Sequence, residues 1–120
     1  MKMKKCVLIL LFMSIVMSAF ADNDYYLRQA QSYQNDAEYY LKQAVGYDKD
    51  AQYYEKEASR YLREAEYYTN RQNYSSAQTY QRRAKDATDK VDSYRRKMKD
   101  ARDKAQSYMM RAYNALSNVR

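Results

Sequence analysis

The 120-residue sequence predicts an all-α fold, a long antiparallel two-helix hairpin packed as an Ala/Tyr heptad coiled coil, and three features carry that prediction. Tyrosine doublets recur at Tyr25-Tyr26, Tyr39-Tyr40, Tyr53-Tyr54 and Tyr67-Tyr68, a spacing of 14, with Tyr33, Tyr47 and Tyr61 midway. All 13 alanines beyond residue 21 fall on two positions of a seven-residue repeat. The repeat breaks once, and the two halves carry opposite charge along one flank.

The first 21 residues read as an export signal and stand apart from the fold. Lys2, Lys4 and Lys5 form a positive start, Cys6 to Ser18 is almost unbroken apolar sequence, and Ala19-Phe20-Ala21 offers the small residues a signal peptidase needs, which places cleavage after Ala21. The apolar run is shorter than the ~20 residues that span a bilayer. Its lone Cys6 is filler of that run. The short Lys-rich start favours a bacterial protein, periplasmic or secreted.

Residues 22–120 then carry 19 basic and 15 acidic groups, with 16 Tyr and 13 Ala but only four Leu and no Ile or Phe. That is too little branched aliphatic volume to offset the entropy of folding in a multilayer core. A helical hairpin, about residues 24–69 and 75–119 around a turn at 70–74, needs less. With Ala30, Ala37, Ala44, Ala51, Ala58 and Ala65 at heptad position a, every tyrosine from Tyr26 to Tyr68 at seven-residue intervals is a d. Helix propensity alone would scatter alanine over all seven positions.

Twelve residues separate Ala65 from Ala77, a heptad plus five, which a continuous coil cannot absorb by local winding. A turn is therefore expected there, with Asn70 or Asn73 in the left-handed conformation and Ser75-x-x-Gln78 as a capping box. Beyond it Ala77, Ala84, Val91, Met98, Ala105, Ala112 and Val119 are a, and Tyr80, Ala87, Tyr94, Ala101, Tyr108 and Ala115 are d. Antiparallel pairing sets g against g. It predicts ion pairs Glu64 with Arg83, Glu57 with Lys90, Asp50 with Lys97 and Asp36 with Arg111, and layers in which each tyrosine opposes a small residue. The arrangement resembles close-packed antiparallel alanine coils, a likeness of architecture that implies no functional residues. A period of 14 without Gly and Pro does not fit 34-residue tetratricopeptide units.

Three surfaces are candidates for function. Tyr25, Tyr39, Tyr53 and Tyr67 sit at c, outside the seam, about 21 Å apart along one helix. They form an aromatic docking ladder, or else lie over the flanking charges on Arg83 and Lys97. Leu27, Leu41, Met109 and Leu116 at e, with Val45 and Tyr113 at b, form an apolar strip through which two hairpins would pair as a four-helix bundle, unless it only widens the seam within one hairpin. Arg82, Lys85, Arg95, Arg96, Lys99 and Arg102 form a basic face on the second helix, diluted by interleaved aspartates. Residues 22–69 sum to −4 and residues 70–120 to +8.

Catalysis is not expected. The chain has no His, one Gly and no pair of carboxylates in contrasting environments, so an imidazole base, a Cys/His zinc site and a phosphate-cradling loop lack their residues, and the acidic g positions are expected to face basic partners instead of a metal ion. No cofactor is expected either. The functional expectation is an exported, non-catalytic structural or interaction protein, a rigid coiled-coil rod whose partner is itself or another envelope or secreted protein. The alternative is a binding module whose basic second helix meets an anionic membrane or polysaccharide, nucleic acid being the least favoured anion.

Overall fold

The computed structural model describes residues 24–119, so the proposed export signal at residues 1–21 lies outside the described residues. The chain is a helical hairpin of α1, Asp24–Asn70, and α2, Tyr74–Ser117, of 47 and 44 residues, with no strand among the described residues. Neither helix is long and apolar enough to cross a membrane.

The turn is built without Gly or Pro. Gln72 takes the left-handed conformation, at φ 60°. Its N–H donates to the Thr69 carbonyl at 3.0 Å, and the Asn73 N–H donates to the Tyr68 carbonyl at 2.9 Å. Those two bonds satisfy the last carbonyls of α1 in a Schellman motif, whose left-handed residue is ordinarily Gly. Neither Asn70 nor Asn73 takes the left-handed position that the sequence offered them. Asn73 caps α2 instead: its Oδ1 accepts from the Ser76 N–H at 3.3 Å and its carbonyl from the Ala77 N–H at 3.1 Å. Ser75, expected to open the helix, lies inside its first turn.

The chain divides into two compact units. The unit Val45–Lys99 contains the turn. Here Tyr68 stacks on Tyr80 and Tyr54 on Tyr94, so 14 residues back along α1 correspond to 14 forward along α2 and the helices are antiparallel. Ala51, Ala58, Ala65, Ala77, Ala84, Ala87, Val91 and Met98 are its buried apolar residues. In the other unit, formed by the described residues up to Ala44 and from Asp100 onward, Ala37, Leu41, Ala105 and Met109 make a cluster against which Tyr40 and Tyr108 pack.

In both units alanine, at 0–9% exposure, fills the centre, and no large side chain is fully buried among the described residues. The seam is wider than a and d. Leu27, Leu41 and Met109, at e, are 7–9% exposed and Leu116 is half-buried, so most of the expected self-association strip is taken up inside the hairpin. Leu62, the e residue between Ala58 and Ala65, stays exposed. Val45 and Tyr113 alone of that strip stay exposed.

Candidate functional site

A phenol ring on an alanine seam is too long to stop between the helices, so the d tyrosines run outward and meet rings from the opposite helix. In the unit containing the turn, Tyr94 stacks on Tyr54 with ring centroids 5.7 Å apart and planes at 9°, and meets Tyr47 on its other side at 6.3 Å and 34°. Tyr80 lies between Tyr68, at 5.5 Å and 8°, and Tyr61, at 6.2 Å and 35°. In the other unit Tyr108 lies between Tyr40 and Tyr33 in the same way, at 5.6 and 6.2 Å. Large side chains therefore meet large ones at the flank, while small residues meet at the centre. Ring against ring replaces the expected layers in which each tyrosine opposes a small residue.

Each stacked ring of α1 also receives the edge of its doublet partner. Tyr39 meets Tyr40, Tyr53 meets Tyr54 and Tyr67 meets Tyr68 at 5.1–5.2 Å and 77–86°, a favourable edge-to-face geometry. Tyr25 meets Tyr26 at 5.2 Å. Each of those three doublets thus builds one cluster of four rings around a single tyrosine of α2. Tyr39, Tyr53 and Tyr67 are the outer members of these clusters, and with Tyr25 they are 47–70% exposed. Gln43 Nε2 donates to the Tyr39 hydroxyl at 2.8 Å, and the Arg71 guanidinium lies 4.3 Å from the Tyr67 ring centroid.

The basic g residues of α2 close this flank, but over rings. Lys90 lies 4.8 Å from the centroid of Tyr54 and Lys104 5.4 Å from that of Tyr40, across the seam. Arg83, Lys97 and Arg111 cover Tyr80, Tyr94 and Tyr108 of their own helix at 4.9–5.2 Å. None of the four expected g-to-g ion pairs forms as a direct contact among the described residues. The emerging rings occupy the space between the opposed g side chains, and a ring face attracts a cation without requiring a carboxylate to shed water. Arg83 and Lys97 accordingly lie over Tyr80 and Tyr94, not over the c tyrosines. Glu57 pairs with Arg60 of its own helix at 2.8 Å, and that hydrogen bond holds its carboxyl below the ordinary value.

On the opposite flank Arg95 pairs across the seam with Glu55 and, at 3.7 Å, with Asp48. The bond to Glu55 raises the guanidinium's pKa further. Arg95 therefore belongs to the seam and leaves the expected basic face, and Arg102, the next e residue of α2, is half-buried as well. Heptad position e is the signal that could have found this, since Asp48 and Glu55 occupy e of α1. Arg82, Lys85, Arg96 and Lys99 remain exposed, with Asp89 and Asp92 exposed between them.

Tyr53, Tyr54 and Tyr61 of α1 and Arg83, Asp86, Ala87 and Lys90 of α2, with Glu57, line a groove of about 420 Å³. Its two cations and two carboxylates balance. A second feature of α1 escapes any summed charge: Arg28, Lys42, Lys49, Lys56, Arg60 and Arg63, all six of its basic residues, fall at c or f, and none of its carboxylates does. Among the described residues no group of three His, Cys, Asp or Glu is placed to hold a metal ion. No known protein family, curated protein or solved structure matches the chain.

Proposed function

We propose that the protein is an exported, non-catalytic structural or interaction protein, a helical-hairpin spacer that joins or props other molecules in the cell envelope or extracellular space. The observation that carries this reading is the division of labour among the tyrosines. The d rings complete one another's packing across the seam, whereas the c rings, with about half or more of their surface in water, recur every 14 residues and among the rings meet only that of their own doublet. A fold that only had to be stable would gain little from repeating an exposed aromatic at fixed intervals.

Export is tested by determining the N-terminus of the protein recovered from its host, expected at Asp22. A protein recovered in the cytosol with its first 21 residues intact would contradict it. The ladder is tested by replacing Tyr25, Tyr39, Tyr53 and Tyr67 by Ser and crosslinking in the host. Helicity should persist while crosslinks to other envelope components disappear; crosslinks unchanged by the four substitutions would remove the ladder from the mechanism.

A further inference from the structure

We infer that the outer face of α1 binds an anionic polysaccharide, its sugar rings against Tyr53 and Tyr67 and its carboxylate or phosphate groups on Lys49, Lys56 and Arg63. This deepens the reading above by naming the partner's chemistry and moves the anion-binding role from α2, where the sequence placed it, to α1. Charge is segregated around α1. Residues 22–69 hold ten acidic and six basic groups, yet the c and f positions of α1 collect every base and exclude every acid. On the unit that contains the turn, this face reads Gly46, Lys49, Tyr53, Lys56, Arg60, Arg63 and Tyr67, all exposed.

Cations spaced at heptad intervals lie about 10.5 Å apart and the tyrosines about 21 Å apart, along one line of the helix. Arg60 is engaged by Glu57, but Lys49, Lys56 and Arg63 have no carboxylate within 4 Å among the described residues. Their neighbours one turn away are Val45, Gly46, Gln52, Tyr53, Ser59, Arg60 and Tyr67, with Glu66 beside Arg63. Gly46 leaves the space around its Cα open at the end of the row. The segment of α1 in the other unit repeats the pattern with Tyr25, Arg28, Tyr39 and Lys42.

The composition of the face selects among anionic partners. An amphipathic helix that lies in a bilayer surface needs Leu, Phe or Trp to enter the acyl boundary, and no c or f position of α1 carries a side chain of that kind. A single-stranded nucleic acid is gripped by aromatics close enough to stack successive bases, which rings about 21 Å apart do not provide. A glycan needs neither. One sugar face per tyrosine, with charges met in the intervals, suits a sparse ladder, and the phenol supplies an apolar face and a hydroxyl on one rigid side chain. The outer face of α2 lacks this selectivity, because Asp89 and Asp92 stand between its two basic pairs.

The test is equilibrium binding of the full chain to polygalacturonate, with dextran, single-stranded oligothymidine and phosphatidylglycerol–phosphatidylcholine vesicles as parallel probes. Polygalacturonate should bind and dextran should not. The Lys49→Gln, Lys56→Gln, Arg63→Gln variant should bind about tenfold or more weaker with a shallower salt dependence, and Tyr53→Ser with Tyr67→Ser should weaken binding without changing the salt dependence. The Lys49→Arg, Lys56→Arg, Arg63→Lys variant should restore it, and neutralising Arg82, Lys85, Arg96 and Lys99 should leave it within about twofold. All positions are exposed, and each variant should keep its helices, which circular dichroism checks. Oligothymidine or vesicles bound as tightly as polygalacturonate, or binding lost with the α2 charges and kept without those of α1, would overturn the inference. Because the measurement is made on purified protein, it can fail while export holds, and the reverse.

Discussion

Gln72 and Gly46 are the two residues whose local chemistry disagrees with their position. Gln72 holds a left-handed conformation that Gly adopts freely, so Gln72→Gly should raise stability by about 0.5–1 kcal/mol, read as a higher denaturant midpoint. Gly46 sits within α1 with no other side chain within 4 Å of the place a Cβ would occupy, and Gly46→Ala should add about 1 kcal/mol. A failure of Gly46→Ala to stabilise would show that a neighbour approaches closely there in solution. Acid should act weakly through Glu57. Its carboxyl is held below the usual 4.5 chiefly by the bond from Arg60, so the linked stability is present above the unfolded value and is lost as pH falls through the folded one. The pair is solvent-exposed, and added salt should erase most of that step.

Along each helix, energy is concentrated in the ring at the middle of a cluster and in the alanine beneath it. Tyr94 touches Tyr47, Tyr54 and Lys97 at once, whereas Tyr53 touches its cluster only by an edge. Tyr94→Ala should therefore destabilise by about 2 kcal/mol and Tyr53→Ala by no more than about 0.5 kcal/mol, measured by urea unfolding. Similar losses from both would mean that the outer ring is structural and that the ladder has nothing in reserve for a partner. Ala51 has no exposed surface, and Ala51→Leu should cost about 2 kcal/mol or more because a larger side chain at that covered position must displace its neighbours.

For the molecule in solution, the burial of Leu27, Leu41 and Met109 inside the hairpin removes most of the apolar area that a four-helix dimer would have covered. Replacing the two residues of that strip still exposed, Val45→Ser with Tyr113→Ser, should leave the mass found by sedimentation equilibrium unchanged. A drop to half the mass in the double variant would return self-pairing to the strip. Stability should also be more sensitive to the ring clusters than to salt, since the g cations lie over rings and the cross-seam pairs of Arg95 are part-exposed.

The helical hairpin was legible in the chain, because heptad spacing places alanine and tyrosine on one stripe whatever the details of packing, and a five-residue excess cannot continue that stripe. Which tyrosines of α1 would stay exposed was legible too, since c lies outside the seam. The destinations of the charges were not. Heptad labels say that g faces g, but whether a cation reaches a carboxylate or a ring depends on how far the d side chains project, and an alanine seam pushes the phenol rings out to that flank. Leu27 and Leu41 turn inward at e while Leu62, at e as well, stays exposed, and packing across the other flank assigned Arg95 to Asp48 and Glu55. One-dimensional spacing specifies direction around a helix, while the depth to which a side chain sinks is decided by the volume its neighbours across the seam leave open.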